Sequence, residues 1–307
     1  MVNRDKFDFV SIHFPFNKHN AIKIWIPDMY SKYVQYIQDN NIEEAEIIMP
    51  SLSILCDCPS LQYLKVCPSS ETRDFYDFSP LYRHPIKYLH CINRYGDAMN
   101  KIGKIDFSQV HGLESMSLEV NSGTINYNTL ETLKSLDVGS YKSSSGNISR
   151  LFCSRQLDTL SLIGSTVYSL EGIDNSSNLQ YLTLVRNRNL CDLNALRKIK
   201  GTLKTLCLHY NPNIKDYSVI GELDHLEKLE IRGVKSIPSL DFIKRMCNLK
   251  SLVFDTVIQD GNLTPCLDLQ YVFTPMQKKH YNISIDMLPK GCYIRGNESI
   301  DEWRRLE

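Results

Sequence analysis

The sequence lacks the features that mark several large classes of protein. No window of its 307 residues approaches the roughly 18 consecutive apolar residues of a membrane-spanning helix. Formal charge is balanced, with 35 basic and 35 acidic residues, and no run of like charges stands out. Nucleic-acid-binding proteins normally carry a basic excess or a basic stripe. We therefore expect neither a membrane nor a nucleic acid among the partners.

Motifs of catalysis and cofactor binding are missing as well. There is no GxxxxGK[ST] phosphate loop, GxSxG elbow, HExxH or dinucleotide-binding glycine fingerprint. Cys56, Cys58 and Cys67 have no second CxxC or HxxxH to complete a tetrahedral metal site. Cys207 and His209 fall on one face of one strand, where side chains stand about 6–7 Å apart, too far for a nucleophilic pair. We expect no catalytic residue, no metal, no cofactor and no small-molecule substrate.

The ten cysteines are scattered and include no CxxC pair. Many stand beside apolar residues, where a reduced thiol behaves as a small hydrophobic side chain; examples are Cys58, Cys91, Cys153 and Cys247. The first ten residues contain no uninterrupted apolar stretch of the kind found in a signal peptide. These observations predict a cytoplasmic protein with free thiols.

A hexapeptide pattern, apolar-x-x-apolar-x-apolar, recurs along most of the chain. Eleven copies are separated by 19 to 27 residues, with a mean of 22.7. Repetition at a near-constant interval indicates a repeat architecture. The clearest copies start at Leu157, Leu179, Leu203, Leu226 and Leu249, and weaker ones start at Ile42, Leu61, Ile86, Leu113, Leu133 and Leu269.

Other positions keep the same period. Asn187 and Asn211 are 24 residues apart, as are Asp192 and Asp216. We expect the two aspartates to cap turns on the side away from the strands. An apolar column recurs at steps of 23, 24 and 23 residues, at Ile173, Leu196, Ile220 and Ile243.

These patterns resemble the leucine-rich-repeat family, specifically the roughly 22-residue class of internalins and of a regulatory subunit of protein phosphatase 1. The similarity covers about residues 42–275 and is closest in the stretch 203–220. It implies an α/β solenoid with a curved parallel β-sheet on its concave side and an irregular or helical convex side. It also implies that Asn187 and Asn211 point inward and bond the turn backbone. Other repeats depart from the family there, with Tyr141, Ser165 and Val234 at the equivalent positions, so those turns should be irregular.

Both ends of a solenoid must be covered to keep the chain soluble. We predict an N-terminal α/β cap over residues 1–41, about eleven repeats over 42–275 and a C-terminal cap over 276–307. The N-terminal cap should contain two strands, near 7–14 and 21–26, and a helix near 30–37. The C-terminal cap should contain a strand at 281–286 and a short helix at 299–305.

The concave side is the predicted binding surface, because its side chains are not needed for the core. Within each hexapeptide the last two apolar residues point inward, and their neighbours point outward. The outward columns are bulky at the N-terminal end, with Glu44, Glu46, Tyr63, Lys65, Tyr88 and His90. They are small in the middle, with Ser115, Ser117, Ser135, Asp137, Gly139, Thr159 and Ser161. They are bulky again towards the C-terminus, with Tyr181, Arg186, His209, Tyr210, Lys228, Glu230, Arg232, Asp255, Tyr271 and Phe273.

Aromatic residues and arginine dominate interface hot spots. A small-residue trough between two bulky shoulders suits a protruding loop or helix; the alternative is that the small residues are neutral filler. We expect a non-enzymatic scaffold that grips one partner protein. Divergent repeats and an Asn-, Ile-, Lys- and Tyr-rich composition resemble standalone bacterial leucine-rich-repeat proteins, some of which are immunity proteins that neutralise a toxin.

Three other functions stay open on the sequence. The first is a regulatory or adaptor subunit of an enzyme such as a phosphatase or ubiquitin ligase, although residues 1–41 do not resemble an F-box docking motif. The second is an enzyme with its site in the N-terminal cap. The third is a secreted effector, whose proline-punctuated repeats have only one near match here, at Ile237-Pro-Ser-Leu.

Overall fold

The computed structural model describes residues 7–13, 18–67, 76–91, 104–120 and 123–293. The chain divides into two compact units, which we call unit 1 (Met1–Gly139) and unit 2 (Ser140–Glu307). Throughout the described ranges, no helix has both the length and the apolar character needed to cross a membrane.

Unit 1 contains a sheet in the order β1-β2-β3-β4-β5-β7-β9, in which β1 and β2 are antiparallel and the other neighbours are parallel. The short strands β6 and β8 form a separate parallel pair. Its elements are β1 (Asp8–His13), β2 (Lys18–Ile24), a 3-10 helix (Pro27–Met29), α1 (Tyr30–Asn40), β3 (Glu44–Ile47), α2 (Ile54–Asp57), β4 (Tyr63–Val66), a 3-10 helix (Ser79–Arg83), β5 (Tyr88–Cys91), β6 (Ile105–Asp106), a 3-10 helix (Phe107–Gln109), β7 (Ser115–Glu119), β8 (Thr124–Ile125), a 3-10 helix (Tyr127–Thr129) and β9 (Ser135–Gly139).

Unit 2 contains a parallel sheet in the order β10-β11-β12-β13-β15-β17, with β14 and β16 as a separate parallel pair. Its elements are β10 (Thr159–Ile163), a 3-10 helix (Ile173–Asn175), β11 (Tyr181–Val185), a 3-10 helix (Asn194–Ile199), β12 (Thr205–His209), a 3-10 helix (Ser218–Glu222), β13 (Lys228–Arg232), β14 (Ser236–Ile237), a 3-10 helix (Asp241–Arg245), β15 (Ser251–Phe254), β16 (Val257–Ile258), a 3-10 helix (Thr264–Cys266), β17 (Tyr271–Phe273) and a 3-10 helix (Ile285–Met287).

All eleven predicted hexapeptides form strands, and each strand begins two residues into its hexapeptide. The copy that starts at Leu203, for example, gives β12 from Thr205. Parallel strands that alternate with 3-10 helices confirm the predicted fold class, a leucine-rich-repeat solenoid, in each unit. The periodic apolar pattern dictates this arrangement because a single repeat cannot bury its apolar face alone.

The core of unit 2 is built from rows of aligned apolar residues. Leu182, Leu206 and Leu229 pair in register across β11, β12 and β13, and each is fully buried. Burial of one such side chain stabilises the fold by roughly 1.5–3 kcal/mol. The apolar column from the sequence lies on the 3-10 helices, where all four members are buried: Ile173, Leu196, Ile220 and Ile243.

Two buried asparagines satisfy the backbone of the turns, as the resemblance implied. Asn187 donates from Nδ2 to the Leu162 carbonyl at 2.9 Å, and its Oδ1 accepts from the Ser165 backbone N–H at 2.9 Å. Asn211 repeats the arrangement: it donates to the Leu184 carbonyl at 2.8 Å and accepts from the Asn187 N–H at 2.9 Å. The side chains therefore link successive repeats through groups that would otherwise be buried without partners.

The aspartates of the second periodic pair cap turns, as predicted. Asp192 accepts from the backbone N–H of Asn194 at 2.8 Å, and Asp216 accepts from that of Ser218 at 2.8 Å. Each bond lies at the start of a 3-10 helix, where backbone N–H groups lack partners within the helix. The local bonds of these side chains account for their periodicity.

The terminal regions agree with the sequence only in part. β1, β2 and α1 lie where two strands and a helix were predicted, and α1 ends at Asn40, after which Asn41 has a left-handed φ of 48°. The strand predicted at 281–286 is wrong: Tyr281 is buried as an anchor, its hydroxyl accepting from the Ile258 N–H at 3.2 Å, and a 3-10 helix follows at Ile285–Met287. The predicted helix at 299–305 lies outside the described residues, and the predicted cap limits remain predictions.

Candidate partner-binding face

The face of each sheet opposite the leucine core is called the outer face. In unit 2 the strand register sets its side chains in rows across the strands. One row is Thr159, Tyr181, Thr205, Lys228, Ser251 and Tyr271. The next row is Ser161, Thr183, Cys207, Glu230, Val253 and Phe273. Neighbouring members of a row are about 4.8 Å apart, the spacing of paired strands.

The outer face of unit 1 carries the first set of predicted residues. Lys65 Nζ lies 2.6 Å from Glu46 Oε1, and Lys87 Nζ lies 5.9 Å from the centre of the Tyr63 ring. The rings of Tyr88 and His90 stack with centroids 6.5 Å apart. Tyr63, Lys65 and His90 are partly exposed, but Tyr88 is buried against Ala21 of β2. The prediction that Tyr88 faces solvent is therefore wrong, because the N-terminal hairpin brings a neighbour to it.

The small residues of the predicted trough are buried, which corrects a second expectation. In unit 1, Ser115, Ser117 and Ser135 are buried, and the Ser117 hydroxyl donates to Asp137 Oδ2 at 3.2 Å. Asp137 is partly exposed. Ser115 has Tyr88 beside it in register, and Ser117 has His90 and Asp137 beside it, so longer side chains one strand spacing away cover these two serines. The residues of the trough are divided between the two units.

Unit 2 shows the same effect more strongly. Thr159, Ser161 and Thr205 are buried, with Ser161 only 1% exposed. Within the part of the chain that the structure describes, the buried hydroxyls of Ser161, Thr183 and Ser251 have no hydrogen-bond partner. A large side chain placed at Ser135 or Ser161 would therefore meet packed neighbours before it met a binding partner.

A charged cluster lies at the centre of the outer face of unit 2. Lys228 and Glu230, which the sequence placed in solvent, are both 0% exposed. Lys228 Nζ lies 3.2 Å from Glu230 Oε1, while His209 Nε2 lies 3.3 Å and Arg232 Nε 3.6 Å from Glu230 Oε2. His209 is buried and Arg232 is partly exposed. Their burial is possible because each charge has an opposite charge beside it.

The cover over this cluster is the C-terminal strap, which we define as residues 289–293. The strap is tied to β17 by bonds from Val272 N–H to the Pro289 carbonyl at 2.8 Å and from Gly291 N–H to the Gln270 carbonyl at 3.0 Å. Its last residue, Tyr293, donates its hydroxyl to Glu230 Oε1 at 3.0 Å. The chain itself thus occupies part of the predicted binding surface.

The ring of Tyr293 completes the cover. Its centroid lies 4.4 Å from Lys228 Nζ and 5.2 Å from the ring centroid of Tyr271. Burial acts to raise the pKa of Glu230, but the His209 hydrogen bond and the charge of Lys228 outweigh burial, and the pKa lies below its ordinary value. Glu230 is accordingly ionised at neutral pH.

Arg186 and Tyr210 occupy turns rather than strands. Each follows the end of a strand and has a positive φ, 54° for Arg186 and 56° for Tyr210. Their backbone N–H groups donate to the carbonyls of His209 and Arg232, both at 2.9 Å. The Arg186 guanidinium stands 5.4 Å from the centre of the Tyr210 ring, a cation–π distance. This pair therefore presents a stacked aromatic and cationic surface at the edge of the outer face.

Several predicted residues remain accessible to a partner. Arg186 is exposed, Tyr181, Tyr210, Asp255 and Tyr271 are partly exposed, and Phe273 is 46% exposed. The backbone N–H of Gly233 donates to Asp255 Oδ1 at 2.6 Å, so Asp255 also has a structural role. The accessible part of the outer face of unit 2 is mainly aromatic and includes one exposed arginine, and aromatic residues and arginine are common in interface hot spots.

The structure also places three residues close together that were not predicted to form a cluster. Donor atoms of Cys207, His209 and Glu230 all lie within 4.8 Å of one another, and all three residues are buried. Cys207 pairs directly with Glu230 across β12 and β13. The expected separation of Cys207 and His209, about 6–7 Å from strand geometry, was therefore too large. The sequence did contain a signal for this proximity. Cys207 and Glu230 are the fifth residues of two successive hexapeptides, and the parallel register places equivalent positions of successive hexapeptides side by side. Buried as they are, these residues present no nucleophile to a substrate.

Comparison with known proteins supports the fold. No protein-family model matches the sequence, and no curated protein matches it. The structure is similar to the crystal structure of an internalin from Listeria monocytogenes, with a TM-score of 0.56 and 16% identity over 83% of this chain and 73% of that chain. A leucine-rich-repeat protein of Leptospira interrogans gives a TM-score of 0.49 and 17% identity over 82% of this chain and 63% of that one, so this chain spans less than two thirds of it. The predicted leucine-rich-repeat architecture is confirmed.

Proposed function

We propose that the chain is a non-enzymatic scaffold that binds one partner protein on the outer face of unit 2. The observation that carries the proposal is the accessible set of aromatic and basic residues on a rigid sheet, above all Phe273, which is 46% exposed. Large apolar side chains left in solvent on a regular surface mark interaction sites when they occur with others of their kind. Tyr181, Tyr210 and Tyr271, all partly exposed, supply the other large aromatic side chains, and Arg186 adds an exposed positive charge.

The position of the strap limits where the partner can bind. Lys228 and Glu230 are covered by Tyr293, so they are not contact residues in the free chain. Contact falls instead on side chains that no part of the described chain covers completely: Tyr181, Arg186, Tyr210, Tyr271 and Phe273. Tyrosine and phenylalanine bury a large area with few rotatable bonds, and the planar guanidinium of arginine forms several hydrogen bonds and stacks on aromatic rings, which makes these residues efficient at a protein interface.

A comparative capture experiment tests the proposal. The full chain and three variants, Tyr181→Ala, Phe273→Ala and Lys198→Gln, are used as bait in a lysate of the source organism. Lys198 serves as the control because it lies on the 3-10 helix Asn194–Ile199, away from the sheet, and pairs with Glu171 and Asp174. The neutral glutamine is preferred to glutamate, which would repel these carboxylates. One protein should be retained by the wild type and by Lys198→Gln.

Affinity is then measured by calorimetry with the purified partner. Each aromatic truncation should cost about 2 kcal/mol if its residue is a hot spot, which is roughly thirtyfold in Kd. Full binding by both aromatic variants, with loss in Lys198→Gln, would place the interface on the side of the 3-10 helices. The circular dichroism spectra of all variants should match the wild type.

The finer part of the proposal is that the partner is a toxin, which the chain neutralises as an immunity protein in the cytoplasm. Its support is the divergent repeats and the Asn-, Ile-, Lys- and Tyr-rich composition, together with ten free thiols, which suit a reducing compartment. Expression of the captured partner alone should arrest growth of a host cell. Co-expression of the wild-type chain should restore growth, and co-expression of Phe273→Ala should not. A harmless partner would rule out the toxin and leave the binding scaffold in place.

A further inference from the structure

We propose that Cys207, His209 and Glu230 form a binding site for Zn²⁺ on the outer face of unit 2, beneath the C-terminal strap. Their donor atoms lie within 4.8 Å of one another, and all three residues are buried. This site is separate from the proposed partner contacts, which are the accessible aromatic and basic residues around it.

The strand register builds the site. Cys207 and His209 are two residues apart on β12 and therefore share its outer face, and Glu230 is the direct neighbour of Cys207 on β13. His209 Nε2 and Glu230 Oε2 are 3.3 Å apart. Two ligands bound to one tetrahedral zinc ion at about 2.0–2.1 Å stand about 3.3 Å apart. His209 Nε2 and Glu230 Oε2 therefore already have the separation that two ligands of one zinc ion require.

The chemistry of the three donors favours zinc among common metal ions. A thiolate is a soft ligand that selects zinc over magnesium or calcium, and imidazole and carboxylate complete a mixed set typical of zinc sites. Three protein ligands leave a fourth tetrahedral position for solvent. Binding requires that Cys207 lose its thiol proton to the buffer, so that the S–H bond breaks as the S–Zn bond forms.

The charges around the site determine how an ion can fit. The two positive charges of Zn²⁺ are balanced by the Cys207 thiolate and the Glu230 carboxylate. Lys228 and the Tyr293 hydroxyl bind Glu230 through Oε1, at 3.2 and 3.0 Å, while His209 stands at Oε2. Oε2 is therefore the oxygen for the metal, and Lys228 and Tyr293 orient the carboxylate from the other side, as partners of metal ligands commonly do. Arg232, partly exposed, can turn its guanidinium towards solvent.

The test uses the full chain, stripped of metal with a chelator, and two probes: Zn²⁺ in calorimetry and Co²⁺ in absorption spectroscopy. The wild type should bind one equivalent of Zn²⁺ at this site, and Co²⁺ should produce the charge-transfer absorption of a thiolate ligand. Cys207→Ser and His209→Ala should each weaken binding at least about 100-fold, more than the 10–100-fold usual for an outer partner of a ligand. Tyr293→Phe should weaken it about tenfold.

Matched controls separate this site from other thiols. Cys266→Ser changes another buried cysteine of unit 2, and His280→Ala changes an exposed histidine of the same unit; both should bind like the wild type. Circular dichroism without metal establishes that each variant is folded. Absence of the thiolate absorption in the wild type overturns the proposal without recourse to any variant. Undiminished binding by folded Cys207→Ser also overturns it, because the metal would then be held elsewhere.

Discussion

The effect of a single substitution on the stability of this protein depends on whether the residue points into the core or towards solvent. Leu206 on β12 points into the core, where it is fully buried between Leu182 and Leu229. Lys204, two residues earlier, is exposed. A shift of one residue in register would exchange the two faces of the strand. Such a shift would turn Leu206 outward, so a comparison with Lys204, which is exposed and precedes β12, tests whether Leu206 points into the core.

We predict that Leu206→Ala lowers the free energy of unfolding by about 2–5 kcal/mol, because it removes core contacts and leaves a cavity. Lys204→Ala should change it by less than about 0.5 kcal/mol. Urea denaturation followed by circular dichroism measures both. A loss for Leu206→Ala as small as the loss for Lys204→Ala would contradict the inward orientation of Leu206.

The asparagine pair gives a second prediction at this scale. Asn211 is buried and satisfies the Leu184 carbonyl and the Asn187 N–H, whereas Asn213 is exposed and donates only to the Arg188 carbonyl. Asn211→Ala removes a hydrogen bond from each of these two buried backbone groups and should cost about 1–3 kcal/mol. Asn213→Ala should cost under about 1 kcal/mol. Chemical denaturation compares them, and a similar small loss for both would show that the buried amide is not needed.

At the scale of the element, four neighbouring strands of unit 2 are each followed by a residue in the same left-handed backbone conformation. The residue after β10, β11, β12 and β13 has a positive φ between 54° and 67°; these residues are Gly164, Arg186, Tyr210 and Gly233. An L-residue in this conformation is strained by roughly 1–2 kcal/mol. Arg186 and Tyr210 accept that strain, and their side chains stack on each other. Glycine removes the strain at the other two positions.

Gly164 and Gly233 differ in the space around them, and this difference yields a prediction. A Cβ at Gly164 would have no atom within 4 Å, whereas a Cβ at Gly233 would lie 2.1 Å from Cδ1 of Tyr210. Gly164→Ala should therefore cost only the backbone strain, about 1–2 kcal/mol. Gly233→Ala should cost about 1–3 kcal/mol more because of the collision. In a Tyr210→Ala background the extra cost should vanish in thermal unfolding; if it persists, the ring is not its cause.

Elements were also the level at which the sequence was most informative. The hexapeptides predicted the positions of all eleven repeat strands. Their apolar residues recur at a fixed period, and in this fold such residues are buried when each repeat places a strand at the same point. Outward positions carry no such constraint. Ser161 and Ser135 are small and polar, which suggested exposure to solvent, but both are buried, because the exposure of an outward position depends on the packing around it and not on its own polarity. The strap was not predicted either, because residues 289–293 are too few to show a periodic pattern, and the contact of Tyr293 with Glu230 depends on tertiary structure alone.

For the whole molecule, the thiols give a prediction about redox state. None of the ten cysteines forms a disulfide; five are exposed (Cys56, Cys153, Cys191, Cys247 and Cys292), Cys67 is partly exposed and four are buried (Cys58, Cys91, Cys207 and Cys266). In the folded protein the exposed set should react with a thiol reagent much faster than the buried set. Desolvation raises the pKa of Cys266 to about 12, which further slows its reaction.

All ten thiols should titrate in denaturant, and a reductant should leave Tm unchanged. Mass-mapped alkylation over time measures the order in which the cysteines react. A disulfide that had formed in the cell would contradict both the structure and the proposed cytoplasmic location.

The contact between Tyr293 and Glu230 also bears on how unit 2 unfolds. Other side-chain hydrogen bonds, such as those of Asn187 with Ser165 and Asn211, join residues one repeat apart, at separations of 22 and 24. A chain held only by such contacts is a one-dimensional array, which can fray repeat by repeat from its end. The bond from Tyr293 spans 63 residues and ties the segment after β17 back to β13. Opening of the last repeat must break this bond as well, so β13, β15 and β17 are coupled into one cooperative unit.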